Sequence, residues 1–157
     1  MAIGTASFIH DSVILLRNLL ASGITDPVSA SRSGTDSRFI MTSFPQHSVL
    51  YPLITIKQLG MVDIERMGMS TEQKRLYARY EVDVWSKSTK QRDEIAGSVY
   101  NVLRTNQLGI ENNISGTVVE GLYNFQLINM FDRVEGEKER EKIHRKVLEF
   151  SYVYITV

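Results

Sequence analysis

Apolar residues recur at helical intervals near the start of the chain: Ile9, Val13, Leu16 and Leu20 step by three or four, and Leu15 and Leu19 widen the stripe. This spacing predicts a helix over residues 8–21, stopped just past its end by Gly23. From residue 22 to 48 the pattern dissolves into Ser, Thr, Asp, Gly and Arg around Pro27, which predicts a long surface loop. A short strand over residues 38–44 falls within it.

Residues 50–59 (LYPLITIKQL) are β-branched in the middle and closed by Gly60, so they predict the first clear strand. Pro52 cannot donate to a ladder and belongs near the strand's start or on an edge. Residues 60–71 then form a connector holding Met61, Met67 and Met69, suited either to filling a core or to an adaptable contact surface. Residues 76–85 alternate cleanly, with Leu76, Ala78, Tyr80, Val82 and Val84 on one side and Tyr77, Arg79, Glu81, Asp83 and Trp85 on the other.

Ser88 and Gln91 have capping-box spacing, with Asp93 and Glu94 assigned to the first turn. Ile95, Val99, Val102 and Leu103 continue a helix that Gly109 ends. A strand follows over residues 118–130, with Val119, Tyr123, Phe125 and Leu127 on one side. Residues 135–146 are a mixed charge run, read as a solvated hairpin arm or short helix, with Glu141 and Arg145 at helical i, i+4 spacing. Residues 147–157 form a closing strand. The expected architecture is α+β: a mostly antiparallel or mixed sheet of four to five strands, with two helices packed on one face. One domain, residues 1–157, accommodates it, with a loop at 22–48 and a charged insertion at 133–145.

The strands carry a surplus of apolar side chains. In the closing strand Leu148, Phe150, Tyr152 and Tyr154 face one way while Val147, Val153, Ile155 and Val157 face the other. The first strand is similar, with Leu50, Ile54 and Ile56 opposite Tyr51 and Leu53, and Leu122 and Ile128 lie opposite the Tyr123 row. Two helices cover one face of such a sheet and leave the second in water, and contiguous apolar patches of that kind mark partner surfaces. Self-association is the expectation, the alternative being loops folded back over that face. The expected contact residues are Tyr51, Met61, Met67, Met69, Tyr77, Trp85, Tyr152 and Tyr154.

Composition narrows the function. The 157 residues, 43% hydrophobic and 23% charged, fit one globular domain with a sizeable core. Eighteen basic residues cancel eighteen acidic ones, so the chain lacks the global basic field of a dedicated DNA binder. With no cysteine, disulfides, thiolate metal sites and Cys nucleophiles are excluded. No run approaches the roughly 18 apolar residues of a membrane span. The apolar stretch at residues 8–20 is broken by His10, Asp11, Arg17 and Asn18 and has no basic start, so it is not read as a signal peptide. The sequon Asn113-Ile114-Ser115 is read as chance.

Chemistry is sparse. His10, His47 and His144 lie far apart and match no metal-ligand spacing. Glu81 and Asp83 share a strand face like a hydrolase's carboxylates, but Arg79 precedes them on that face and turns the set into a solvated or inter-subunit ion-pair row. No nucleophile elbow, phosphate-binding loop or dinucleotide fingerprint occurs. The expectation is no catalysis, no cofactor and no metal. Lys87, Lys90 and Arg92 cluster around the start of the second helix; in a ring enclosing DNA they would line the channel, and otherwise they are ordinary solvated cations.

Three segments carry a resemblance to a known family. The strand Tyr51-Pro52-Leu53-Ile54-Thr55-Ile56, the run from Tyr80-Glu81-Val82-Asp83-Val84-Trp85-Ser86 into Lys90-Gln91-Arg92-Asp93-Glu94-Ile95-Ala96, and the closing Val147-Leu148-Glu149-Phe150-Ser151-Tyr152 resemble tail terminator (tail completion, tail-to-head joining) proteins of tailed phages. The likeness is one of layout from residue 8 onward. It implies a virion protein, assembled in the host cytoplasm, that forms a homo-oligomeric, hexameric ring. Such a ring caps the tail tube protein, meets a head-completion or connector protein, and lets DNA through its lumen without sequence recognition or any membrane. The loop at residues 22–48 and the charged segment at 133–145 have no counterpart in the resemblance. Together with residues 60–71 they are the expected axial contact surfaces. Two other readings are another neck component, such as a head-closure or connector adaptor protein, and a non-viral small binding module using the aromatic sheet face. An enzyme ranks behind both.

Overall fold

The computed structural model describes residues 8–32, 38–42, 50–65, 74–135 and 142–156. The first helix, α1 (Phe8–Gly23), buries Val13, Leu16 and Leu20, the stripe that the spacing predicts. Gly23 does more than stop it: a Cβ there would stand 2.8 Å from Val102, so its lack of a side chain lets α1 approach the second helix.

That second helix, α2 (Thr89–Thr105), begins at Ser88, whose hydroxyl accepts from the Gln91 backbone N–H at 3.4 Å. The reciprocal half of the capping box is rerouted. Ser86 Oγ donates to Gln91 Oε1 at 2.9 Å and accepts from Ser88 N–H at 3.1 Å, tying the helix to the strand before it. No acidic residue lies in the first turn, because Asp93 and Glu94 fall a turn later than expected.

The strands are β1 (Ile40–Met41), β2 (Leu53–Glu65), β3 (Lys74–Ser86), β4 (Ile110–Ile114), β5 (Thr117–Glu135) and β6 (Ile143–Thr156). They form one sheet of order β1-β2-β3-β6-β5-β4, in which β1 runs parallel to β2 and all other neighbours are antiparallel. The class is the expected α+β with two helices on one face, but there are six strands rather than four or five.

Two corrections account for the difference. β2 does not stop at Gly60: it bulges at Leu59 and runs on to Glu65, so Met61 lies in a strand, half-buried against the core, rather than in a connector. The additional strand, β4, turns into β5 through Ser115 and Gly116, both at positive φ (52° and 81°), with Ile114 paired to Thr117 across them. Two residues at positive φ make the tight hairpin whose twist matches its strands. The charged segment is strand at both its ends, where Arg133 pairs with Arg145 and Glu135 with Ile143, and its middle lies outside the described residues. Within the expected loop, a short 3-10 turn spans Ser29–Ser31 and β1 adds its two residues to the sheet edge.

The core lies between the helices and one sheet face. Leu76, Ala78, Tyr80, Val82 and Val84 from β3 meet Leu148, Phe150, Tyr152 and Tyr154 from β6, all buried. α2 packs over β3 and β6; α1 touches β1, β2 and also β4 from the sheet's far end, which the curl of the sheet brings within reach.

Candidate functional site

On the face away from the helices the register lays out a ladder of charge. Lys57 stands beside Glu81, Nζ to Oε2 2.7 Å, and Arg145 beside Asp83 at 3.5 Å. Arg79 reaches Glu149 at 3.7 Å. The Arg145 guanidinium also lies 4.9 Å over the Trp85 ring, and Trp85 Nε1 donates to Thr55 Oγ1 at 3.0 Å. Glu81 and Asp83 are ion-paired rather than a hydrolase's free pair, but the row is neither solvated nor left to a neighbouring subunit: both carboxylates are buried, and their partners are Lys57 and Arg145 while Arg79 turns to Glu149. Burial, and then the neighbouring charge of Glu81, push the Asp83 carboxyl up to about 7, against the pull of Arg145 and Lys57.

This ladder corrects the expectation of a contiguous apolar patch on the second face. Its centre is ionic, with Val147 and Ser151 buried between charges and Val153 and Ile155 half-buried. The surplus of exposed apolar side chains sits elsewhere. Among the described residues the exposed large hydrophobics are Leu59 and Val62 on β2, Leu127, Ile128, Met130 and Val134 on β5, and Leu108. Six of these seven lie on β2 and β5, the long strands that the short outermost β1 and β4 cover only in part.

The expected contact residues scatter. Tyr51, Tyr77 and Trp85 are half-buried. Tyr152 and Tyr154 are core residues with no exposed surface, because even positions of β6 point under the helices. Burial drives the Tyr80 and Tyr152 phenols well above their ordinary range, and Tyr154 donates to the buried Glu120 at 2.5 Å. Met67 and Met69 lie outside the described residues.

The basic trio at α2 divides as well. Lys87 and Lys90 are exposed, and Lys90 is within 3.9 Å of Glu94. Arg92 is buried, held by Asp93 at 2.9 Å and by Asp132 of β5 at 3.4 Å, so it clamps the helix to the sheet and cannot line a channel. Lys146 completes this cluster, 2.9 Å from Asp93 and 3.2 Å from Asp132. Its hydrogen bond holds Asp93 below the usual carboxylate range, and the same bond raises the ammonium. Sequence reasoning missed the structural roles of Arg145 and Lys146 by reading them inside a solvated charge run. Extending the period-2 alternation of the last strand back past Val147 would have assigned them to opposite faces.

Catalytic geometry is thin. Among the described residues no three metal-ligating groups converge, and an open groove between the ends of α1 and α2, lined by Leu19, Gly23, Val102, Thr105 and Asn106, holds no acid–base pair.

No family model and no curated protein matches the chain. Among solved structures it is similar to a chain of the virion of a native gene transfer agent (GTA) particle, with a TM-score of 0.55 and 14% identity over 95% of this chain and 99% of that one. At that identity the likeness is one of fold, and it spans the whole arrangement of helices and sheet.

Proposed function

We propose that this chain is a structural protein of a phage-like virion, and specifically that it forms a ring, hexameric in this reading, that ends a tail tube and joins it to the head connector. The observation that carries the proposal is near end-to-end similarity in fold to a chain of a gene transfer agent virion. The direct passage from β3 into α2 supports it, since this strand-to-helix junction is where the sequence resembles tail terminators. In this reading the protein works by contact rather than catalysis, without cofactor or metal. Its partners are further copies of itself, a tail tube protein and a head-completion protein, with DNA passing through the lumen. Of the basic trio at α2, Lys87 and Lys90 remain available to that lumen.

Electron microscopy of the purified protein at high micromolar concentration tests the ring, with annular particles having a central hole as the expected result. A mass equal to one chain under those conditions, with no incorporation into tails, overturns it. Co-assembly separates the neighbouring role: binding to tail tubes is expected, and binding to portal rings alone would make the chain a connector adaptor instead.

A further inference from the structure

The two borders of the sheet are left open over the same rows. At one side β1 covers only Ile54 and Thr55 of β2, so the outer edge of β2 from Ile56 onward has no paired strand among the described residues. At the other side β4 covers β5 only as far as Leu122 and the Phe125 N–H donates to Gln107 O at 3.3 Å, leaving the edge from Gln126 onward with no paired strand among the described residues. The register connects them: Gln58 pairs with Tyr80, Tyr80 with Phe150, and Phe150 with Leu127. Open borders of this kind are templates for pairing with another chain.

We infer that the occupant of each border is the opposite border of a second copy, with β2 of one subunit pairing antiparallel to β5 of the next. Three observations select this partner; the inference rests on the self-assembly reading above and adds which surfaces meet. Strand direction alternates from β2 through β3 and β6 to β5, so extending the sheet from copy to copy sets β5 against β2 antiparallel, with the helices of every copy on the same side. The exposed apolar residues concentrate on the two borders, Leu59 and Val62 on one and Leu127, Ile128, Met130 and Val134 on the other, so each offers what the other needs covered. Both borders are also bulged next to the Tyr80–Phe150 row, on opposite sides of it. Leu59 is the extra residue between the Tyr80 and Arg79 rows, and Ile128 the extra residue between the Phe150 and Glu149 rows. A bulged border rejects a flat strand and accepts one kinked within a row of its own bulge. Because different surfaces meet, the contact is heterologous and closes into a ring or runs on as a filament.

The absence of native cysteine makes the test direct. Leu59→Cys or Val62→Cys is combined in one chain with Leu127→Cys, Ile128→Cys or Met130→Cys, so that a stagger of a residue or two still brings one pair within disulfide reach. Oxidation of the purified protein at high concentration is expected to give a ladder of covalent multimers in at least one double variant, and no multimer in any single one. Dimers from a single β5 variant would mean β5 meets β5 and overturn the inference. Annular particles in the microscope with no cross-link from any pair overturn it too, while leaving the ring intact. A ladder from filaments without annuli supports the edge pairing and overturns the ring. Leu127→Lys with Met130→Lys provides a second check: loss of multimers with an unchanged circular-dichroism spectrum is expected, and undiminished assembly counts against it.

Discussion

On the helix side of β6, Phe150 stacks 5.9 Å from Tyr80, 5.6 Å from Phe125 and edge-on to Tyr152 at 5.8 Å. One residue away, on the other side, Glu149 and its neighbours answer burial with paired charges. Glu81 and Asp83 are buried, as Tyr80, Phe150 and Tyr152 are, but by different means. The helix side is filled by volume, where each ring contacts several others and a deletion leaves a hole. The open side is held by geometry, where a few planar and charged groups depend on each other's exact charge state. A sheet can therefore keep one face without a covering layer, provided its central strip is ionic and locally neutral.

The sharpest way to break the contrast is at its apolar end. Phe150→Ala is expected to cost about 3–5 kcal/mol in chemical denaturation; a loss below about 1 kcal/mol would mean that the aromatic cluster collapses to fill the gap. Next comes the ionic side. Arg145→Ala leaves Asp83 without its guanidinium and Trp85 without its cover, and should cost about 2–3 kcal/mol at pH 8.

Asp83 sharpens the comparison through pH. Its folded value, about 7, lies above the ordinary 3.8, so between the two the folded chain keeps a proton that the unfolded chain has released. This contribution to stability is full below about pH 4 and lost as pH rises through about 7. Asp83→Asn should therefore raise the melting temperature at pH 8 by about 2–4 °C, for a gain on the order of 1 kcal/mol, and the gain should vanish at pH 4. A gain that grows on acidification would reverse the assignment. The smallest effect is expected from Arg79→Ala, a half-exposed partner at 3.7 Å, at about 0.5 kcal/mol or less and shrinking with salt.

Much of this was legible in the residues. The stripe of α1, the Ser88 cap of α2 and the alternation of β3 each follow a local rule, and each is found where that rule sets it. What escaped depends on context. Tyr152 and Tyr154 belong to a residue type enriched at interfaces, yet their parity with Phe150 sends them under the helices. Arg92 is a surface cation by type and a buried clamp by the arrival of Asp132 forty residues later. β4 was hidden because its five residues include Glu and two Asn, although the Ser-Gly pair after it carries a turn signal. The exposed apolar surplus was foreseen in kind but assigned to a face; pairing order moves it to the borders, and no single-strand pattern contains pairing order.

The position of β6 has a consequence for how the molecule is made. This strand is the last of the six in the chain, yet it lies between β3 and β5 near the middle of the sheet. A ribosome adding about 5–20 residues per second takes roughly 4–14 s to travel the 70 residues from Ser86 to Thr156. Throughout that interval β3 waits with a flank open, β5 joins it once Glu135 is made, and the two hairpins then lack the strand that lies between them. Closure is then a single late insertion that zips both at once, so a translation product stopped before Ile143 is expected to be protease-sensitive and sticky rather than a smaller folded version of the same protein.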